Sequence, residues 1–431
     1  MSEATGGAGG ASDVTRLVVV GQGYVGLPLA MRAVERGMDV VGIDSDVAKV
    51  RGLAAGRSHI DDVSDADVAA AQATGRYRAA STFDGCEGFD VAVITVPTPL
   101  RFGAPDLSHV EAALGRLVPC VRAGSTVILE STTWPGTTTE VVVPAIEEGT
   151  GLKAGVDVHV GYSPERIDPG NERWTFTTTP KVVAGVTPES LERVRAFYDR
   201  LVERTVPVST TGAAELTKLL ENTFRHVNIA LVNELAVHAH ALDIDIWEVI
   251  EAASTKPFGL MPFRPGPGVG GHCLPIDPSY LSWKVRQTVG STSRFVEIAN
   301  DINNEMPKYV VTRAQAALNR RRKAVNGSRV LVVGLSYKAN SGDARETPAT
   351  PIVTGLVELG AEVLVHDDWT GPHPIDAIAP RTSLDDADLA TIDLVVIVTD
   401  HADVDWSRLV EESELVLDTR HRVEGERVEH L

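Results

Sequence analysis

Apolar residues along this chain follow two rhythms. The apolar run at Leu17–Val20, LVVV, is short and continuous, the pattern of a strand covered on both faces. A glycine turn and the helical spacing of LPLAMRAVE follow, Gly37 suits a helix C-cap, and a buried strand resumes over Asp39–Asp44. Further strands are predicted at FDVAVITVP and STVILES, separated by a helical pattern after Pro105. This alternation predicts right-handed βαβ units around a parallel sheet. From Gly212 the rhythm changes. The segment AAELTKLLENTFRHVNIALVNELAVHAHALDI keeps apolar residues at helical spacing for far longer than an average helix, which suits a central spacer or a dimer interface.

The third region repeats the first. SRVLVVGLSYKA echoes TRLVVVGQGYVG, GAEVLVHDD echoes GMDVVGIDSD, and DLVVIVTDH and SELVLDTRH supply further strands. The predicted fold class is therefore α/β: two Rossmann-like doubly wound domains joined by a central helical domain with a long helix. The boundaries expected are a disordered tail over 1–14, a Rossmann domain over 15–210, a helical domain over 211–320 and a Rossmann-like domain over 321–431.

Composition narrows the partners. With 431 residues, 43% hydrophobic and 23% charged, the chain reads as a soluble protein of more than one domain. A net charge of −19 argues against nucleic acid and anionic membranes as partners, while small anionic ligands remain open to local cations and helix N-termini. Cys86, Cys120 and Cys273 are widely spaced with no CxxC, which argues against disulfides and a structural zinc, so no metal is expected. No apolar run reaches membrane-spanning length, and MSEATGGAGGASD has neither the basic nor the apolar region of a signal peptide. A cytoplasmic location is expected.

Gly21, Gly23 and Gly26 form GxGxxG after a strand and before a helix. Gly21 permits the tight turn, Gly23 lets backbone approach a pyrophosphate, and Gly26 allows close helix–sheet packing. Asp44 ends the second strand, where a carboxylate accepts from a ribose 2′-OH and repels a 2′-phosphate, pointing to NAD rather than NADP. The second copy, beginning at Gly334, has lost the later glycines and is not expected to hold a dinucleotide in the same way. It carries Lys338, Asp343 and Arg345 instead, which fit either a solvated loop or a second, anionic nucleotide.

PGPGVGGHCLPIDP places Cys273 among glycines and prolines. A buried structural cysteine and a thiolate nucleophile both remain open on local sequence, whereas Cys86 and Cys120 read as structural. His272 is adjacent, but neighbours on an extended chain point apart, so it is neither the base nor a metal ligand. Lys218 and Asn222 stand four apart on the long helix, where both could donate to one oxygen or simply line a solvated stripe. Glu165 in YSPERIDPGN and Thr133 in ESTTWPG are polar residues in turn-rich segments after strands, where α/β sheets place ligands.

Together these stretches resemble the nucleotide-sugar 6-dehydrogenases of the UDP-glucose/GDP-mannose dehydrogenase family. The resemblance runs from about Arg16 to Arg420 through GQGYVGLPLA, VPTPL, ESTTWPGTT, YSPERIDPGN, ELTKLLENTFR, PGPGVGGHCLPIDPSYL and GLSYKANSGDARETPA. It implies two Rossmann-like domains, for NAD and for the UDP-sugar, and a helical domain that forms a homodimer or part of a higher oligomer. It also implies a four-electron oxidation of a sugar C6 hydroxyl through a thiohemiacetal and a thioester on Cys273. Lys218 and Asn222 would stabilise the oxyanion, Asp277 would position water and Lys218, and Glu165 and Thr133 would manage water and its proton.

By the same resemblance the cofactor set comprises Gly21, Gln22, Gly23, Tyr24, Val25, Gly26, Asp44, Lys49, Pro97, Thr98, Thr132 and Arg345. The substrate set comprises Glu165, Arg166, Lys218, Asn222, Arg225, Arg264, Gly270 and Lys338. The segments around Glu165 and Cys273 look more like the N-acetylhexosamine branch, with UDP-N-acetylglucosamine favoured over UDP-N-acetylmannosamine, UDP-N-acetylgalactosamine and UDP-glucose. A two-electron β-hydroxyacid dehydrogenase would need neither Cys273 nor a second Rossmann-like half. A catalytically silent nucleotide-sugar sensor would not need Cys273, Lys218 and Asn222 together.

Overall fold

A computed structural model describes residues 15–431 apart from 61, 102, 168–170, 172, 272 and 273. The expected tail over 1–14, His272 and Cys273 thus lie outside the described residues. The chain divides into two compact units between Leu219 and Leu220.

The first unit holds β1 (Arg16–Val20), α1 (Gly26–Glu35), β2 (Asp39–Ile43), α2 (Val47–Ala54), α3 (Asp65–Ala73), β3 (Tyr77–Ala80), β4 (Val91–Ile94), α4 (Ser108–Leu117), β5 (Thr126–Leu129), α5 (Val143–Thr150), β6 (His159–Tyr162), β7 (Lys181–Gly185), α6 (Pro188–Tyr198) and β8 (Thr205–Pro207). Its main sheet runs β8-β7-β6-β5-β4-β1-β2-β3, parallel throughout except where β6 meets β7. The strands are short apolar runs because helices cover both faces. Leu17 and Val19 join α1, α3 and α6 in one core of fully buried side chains.

Register then decides where chemistry can sit. Ala80, Ile43, Val20, Ile94, Leu129 and Tyr162 are successive cross-strand partners, so six parallel strands end in one row. The loops after them leave along a single edge, with the topological switch between β1 and β4, where open α/β sheets bind ligands.

The 31-residue helix α7 (Thr211–Ala241) begins in the first unit and continues into the second. The second unit adds α8 (Ile246–Ser254), α9 (Asp277–Val289), α10 (Arg294–Arg320), β9 (Arg329–Val333), α11 (Ala349–Glu358), β10 (Glu362–His366), β11 (Leu394–Ile397), α12 (Trp406–Glu412), β12 (Val416–Asp418) and β13 (Val428–His430). Its sheet is parallel, ordered β10-β9-β11-β12-β13. Val330 and Val332 face a core completed by α10 and α11, while Leu331 and Val333 face a second core with Leu409 of α12. The period of two in β9 explains both cores. The fold class is as predicted, α/β with a helical segment between two Rossmann-like sheets. Among the described residues, no helix is long and apolar enough to cross a membrane.

Candidate active site

The GxGxxG loop makes three different demands on its glycines. Gly21 has φ +99°, and a Cβ there would stand 2.7 Å from the Thr95 carbonyl oxygen. A Cβ at Gly26 would meet the Gly21 carbonyl oxygen at 1.9 Å, so α1 can begin this close to β1 only with glycine. At Gly23 nothing lies within 4 Å and φ is ordinary. Packing therefore explains Gly21 and Gly26 but gives no reason for Gly23, which faces open space. No side chain caps α1. The Leu27 and Leu29 N–H groups donate to the Gly23 and Val25 carbonyls and Pro28 has none, so what the helix start offers an anion is its positive dipole end and the glycine loop before it.

Asp44 is half-buried at the end of β2, accepting from the Gln22 backbone N–H at 3.0 Å and the Asp46 N–H at 2.9 Å. Each oxygen keeps a lone pair for a hydroxyl. Gln22 itself is fully buried: its amide donates to the Val19 and Gly21 carbonyls and accepts from the Tyr77 hydroxyl. Its side chain supports the loop from beneath, while Tyr24 is exposed above it. Lys49 lies on α2, whose first amides are capped by Asp46. An open glycine, a helix N-terminus without a side-chain cap and a half-exposed carboxylate on one edge fit the diphosphate and ribose of NAD.

Farther along that edge, Thr98 Oγ1 donates to the Thr132 carbonyl at 2.7 Å, tying the loops after β4 and β5 together, and Pro97 is exposed beside it. Thr133 is buried, and its hydroxyl has no partner among the described residues. After β6, one oxygen of Glu165 accepts from the Arg166 and Ile167 backbone N–H groups at 2.6 and 2.7 Å, and the other from Lys181 Nζ at 2.8 Å. Lys181 also pairs with Glu130, whose second oxygen accepts from the Tyr198 hydroxyl at 2.9 Å. Burial alone would raise Glu165, but the Lys181 charge and the hydrogen bonds hold it below the ordinary carboxylate range. The Arg166 guanidinium donates to the Pro180 carbonyl.

The start of α7 is anchored by Glu215, which is fully buried and accepts from the Gly136 and Thr138 N–H groups and the Thr138 hydroxyl. One turn later comes Lys218, only 9% exposed, with no hydrogen bond or ion pair among the described residues. A largely buried lysine with no anion beside it is open to an incoming oxygen that gains negative charge.

In the second unit, Asn222 Nδ2 donates to Asp277 Oδ2 at 2.6 Å, both residues being buried. Asp277 opens α9, where the helix dipole favours a carboxylate, and α9 begins four residues after Cys273. Asn233 accepts from the Gly266 N–H at 2.9 Å and donates to Asn303, which reaches His226, which in turn bonds Asn300. This buried polar chain runs from the glycine loop through α7 to α10. The loop glycines are pressed against the chain's own side chains. A Cβ at Gly270 would stand 2.6 Å from Tyr337 Cβ, one at Gly271 2.8 Å from the Tyr337 ring, and one at Gly266 2.9 Å from Arg420. The Gly271 N–H donates to the Arg345 carbonyl.

Lys338 is half-buried in the loop after β9, and the Arg345 guanidinium is held by both oxygens of Asp343. Arg225 and Arg264 are exposed. Cys86 and Cys120 are buried, and burial pushes the Cys86 thiol up to about 11 and the Cys120 thiol in the same direction, away from thiolate chemistry at neutral pH.

The second Rossmann-like loop repeats the first up to a point. The Gly334 N–H donates to the His366 carbonyl as Gly21 does to Ile43, and Asp367 stands where Asp44 does. Here, however, both carboxylate oxygens are consumed, by the amides of Leu335, Ser336, Trp369 and Thr370 and by His401. Nothing is left for a ribose hydroxyl. The lost glycines therefore go with a lost carboxylate.

Three family models cover most of the chain: the UDP-glucose/GDP-mannose dehydrogenase NAD binding domain over residues 15–202, central domain over 212–305 and UDP binding domain over 331–425. The chain belongs to the UDP-glucose/GDP-mannose dehydrogenase family. It is 38% identical to the UDP-N-acetyl-D-glucosamine 6-dehydrogenase of Pseudomonas aeruginosa, over 82% of this chain and 83% of that one. It is 33% identical to an NDP-N-acetyl-D-galactosaminuronic acid dehydrogenase of Ralstonia nicotianae, over 96% and 98%. Among solved structures, the UDP-D-ManNAc dehydrogenase of Pyrococcus horikoshii superposes with a TM-score of 0.87 at 31% identity, covering 96% of this chain and 99% of that one. The chain is thus an NAD-dependent nucleotide-sugar dehydrogenase.

Several residues that build this family member's site were not singled out by sequence. Glu130, Lys181, Glu215 and Asn233 are polar residues inside apolar stretches, and that mismatch was the available signal. Arg420 was visible only as the end of a strand motif. The fold brings it beside Gly266, and its guanidinium also donates to the Val398 carbonyl.

Proposed function

We propose that this enzyme oxidises the C6 hydroxyl of a UDP-N-acetylhexosamine, UDP-N-acetylglucosamine first among them, to the uronic acid, in the cytoplasm and as a homodimer. The observation that carries the catalytic reading is Lys218: a largely buried lysine with no partner among the described residues, one helical turn from an asparagine already held by Asp277. A cation so placed is completed by an oxygen that gains negative charge.

NAD, bound along the Gly21–Gly26 loop and Asp44, supplies the hydride acceptor, one molecule for each of two oxidations. The Cys273 thiolate adds to the aldehyde carbon, forming a C–S bond and retaining the intermediate. After the second hydride is lost, that carbon is a thioester. Glu165, held ionised by Lys181, takes a proton from water as the water oxygen attacks, with the unpartnered Thr133 hydroxyl available to orient it. The C–S bond then breaks, the Cys273 thiolate leaves and the uronate departs. Lys218 and Asn222 stabilise the oxyanion at each tetrahedral stage. Lys338, Arg264, Arg225 and Arg166 are proposed for the UDP-sugar, with Gly270 shaping the loop beside it and Arg345 at the cofactor side.

The similarity to the Pseudomonas aeruginosa enzyme supports UDP-N-acetylglucosamine, and the relatives named for mannosamine and galactosamine derivatives keep C2 and C4 as the variables. NADH production across UDP-sugars differing at those carbons tests the assignment. The highest kcat/KM is expected with UDP-N-acetylglucosamine, and preference for UDP-glucose would overturn the N-acetylhexosamine reading. Dimerisation is supported by an apolar stripe on α7, where Leu220, Phe224, Leu231 and Leu235 are exposed on one helix.

A further inference from the structure

Glu165 does not stand alone on its edge of the first sheet. Behind it two strand ends and a helix end contribute a buried cluster: Glu130 after β5, Lys181 at the start of β7, and Tyr198 at the end of α6. The side chains of Glu130 and Lys181 are 0% and 4% exposed, and that of Glu165 is 13% exposed. Lys181 Nζ bridges the two carboxylates and lies over the Phe176 and Tyr198 rings, 5.5 and 5.4 Å from their centroids. Arg166, next to Glu165, turns its guanidinium to the Pro180 carbonyl.

Two buried carboxylates around one ammonium make an odd charge count. A fully ionised cluster would leave one negative charge uncompensated among largely buried side chains, which is expensive. One carboxylate must therefore carry a proton readily, and the geometry is asymmetric about which. Glu165 has two backbone N–H donors in addition to Lys181, all favouring its ionised form. Among the described residues, Glu130 has Lys181 and a phenol as donors, and no backbone amide.

We infer that Glu130 and Lys181 are positioning residues for the hydrolytic step: Lys181 holds Glu165 ionised as the base, and Glu130 takes the cluster's proton in its place. The inference rests on the proposed role of Glu165. Titration tendencies agree with it: burial pushes Glu130 up to about 7, whereas Glu165 is brought below its ordinary value against its own burial. Lys181, which burial would lower, is raised by the two carboxylates.

The test is the pH dependence of uronate release in quenched-flow single turnovers with a labelled UDP-sugar. Glu130→Gln replaces a protonated carboxyl with a neutral amide, so the acid limb stays where it is in the wild type. Glu130→Gln combined with Lys181→Met removes the cation, so the limb moves up by about one pH unit. Damage to packing would lower both rates without moving a limb. A limb displaced to lower pH in Glu130→Gln, the sign of an ionised Glu130 in the wild type, or a double variant whose limb coincides with the wild type, overturns the inference. Glu165→Gln separates the two levels: wild-type uronate release in that variant overturns the base reading itself. Lost release with either of those limb results refutes only the roles of Glu130 and Lys181.

Discussion

Gly23 and Gly26 belong to one motif but answer to different forces. Gly26 is required by the protein, since a methyl group there collides with backbone. Gly23 is required only by what approaches from outside. Gly26→Ala should therefore lower the thermal midpoint sharply, whereas Gly23→Ala should leave it nearly unchanged and raise KM for NAD about tenfold, roughly 1.4 kcal/mol of lost affinity. Thermal melts beside NAD titrations of both variants check this, and parallel behaviour would contradict it. Asp367 offers a pH test at the same scale. Burial would raise it, yet the bonds from His401 and the backbone amides hold it well below the ordinary carboxylate range. A depressed folded value means the stabilisation is complete above the unfolded value near 3.8 and is lost as pH falls through the folded one. Asp367→Asn should thus cost about 3 kcal/mol at pH 7, and much less below pH 3, in urea melts. An undiminished difference at low pH would contradict the account.

At the scale of elements, the strands were legible as short continuous apolar runs and the long helix by its 3.6-residue period. The 27-residue α10 was less so, since Pro307 sits inside it and charged residues crowd its exposed side. The glycine loop before α9 was legible as a special segment but not in its cause. The structure shows Gly266, Gly270 and Gly271 fitted against Arg420 and Tyr337, contacts that join residues more than sixty positions apart and leave no local trace. The Asn233 link to this loop is likewise non-local. Asn233→Ala leaves the Gly266 N–H buried and unsatisfied, so a loss of about 2 kcal/mol in urea unfolding is expected together with reduced kcat. Unchanged stability would remove Asn233 from the loop's support.

At the scale of the whole molecule, the internal repeat shows how one architecture divides into two duties. Both Rossmann-like loops start with a glycine at positive φ and a carboxylate at the end of the next strand, but only Asp44 keeps capacity for a hydroxyl. Sequence showed the missing glycines; that the second carboxylate is internally consumed required the hydrogen bonds. The apolar stripe on α7 sets the expectation for assembly. Phe224→Arg with Leu231→Arg should turn a dimer into a monomer in analytical ultracentrifugation, and an unchanged sedimentation coefficient would place the interface elsewhere. The family explains that a nucleotide sugar is oxidised; Lys218, Asn222 and Cys273 bear on how far. The decisive measurement is the ratio of NADH formed to UDP-sugar consumed at completion, in the wild type and in Cys273→Ser. Two NADH per sugar with a uronate product, and loss of turnover in the variant, are predicted. One NADH per sugar, or full turnover without the thiol, would contradict the four-electron mechanism.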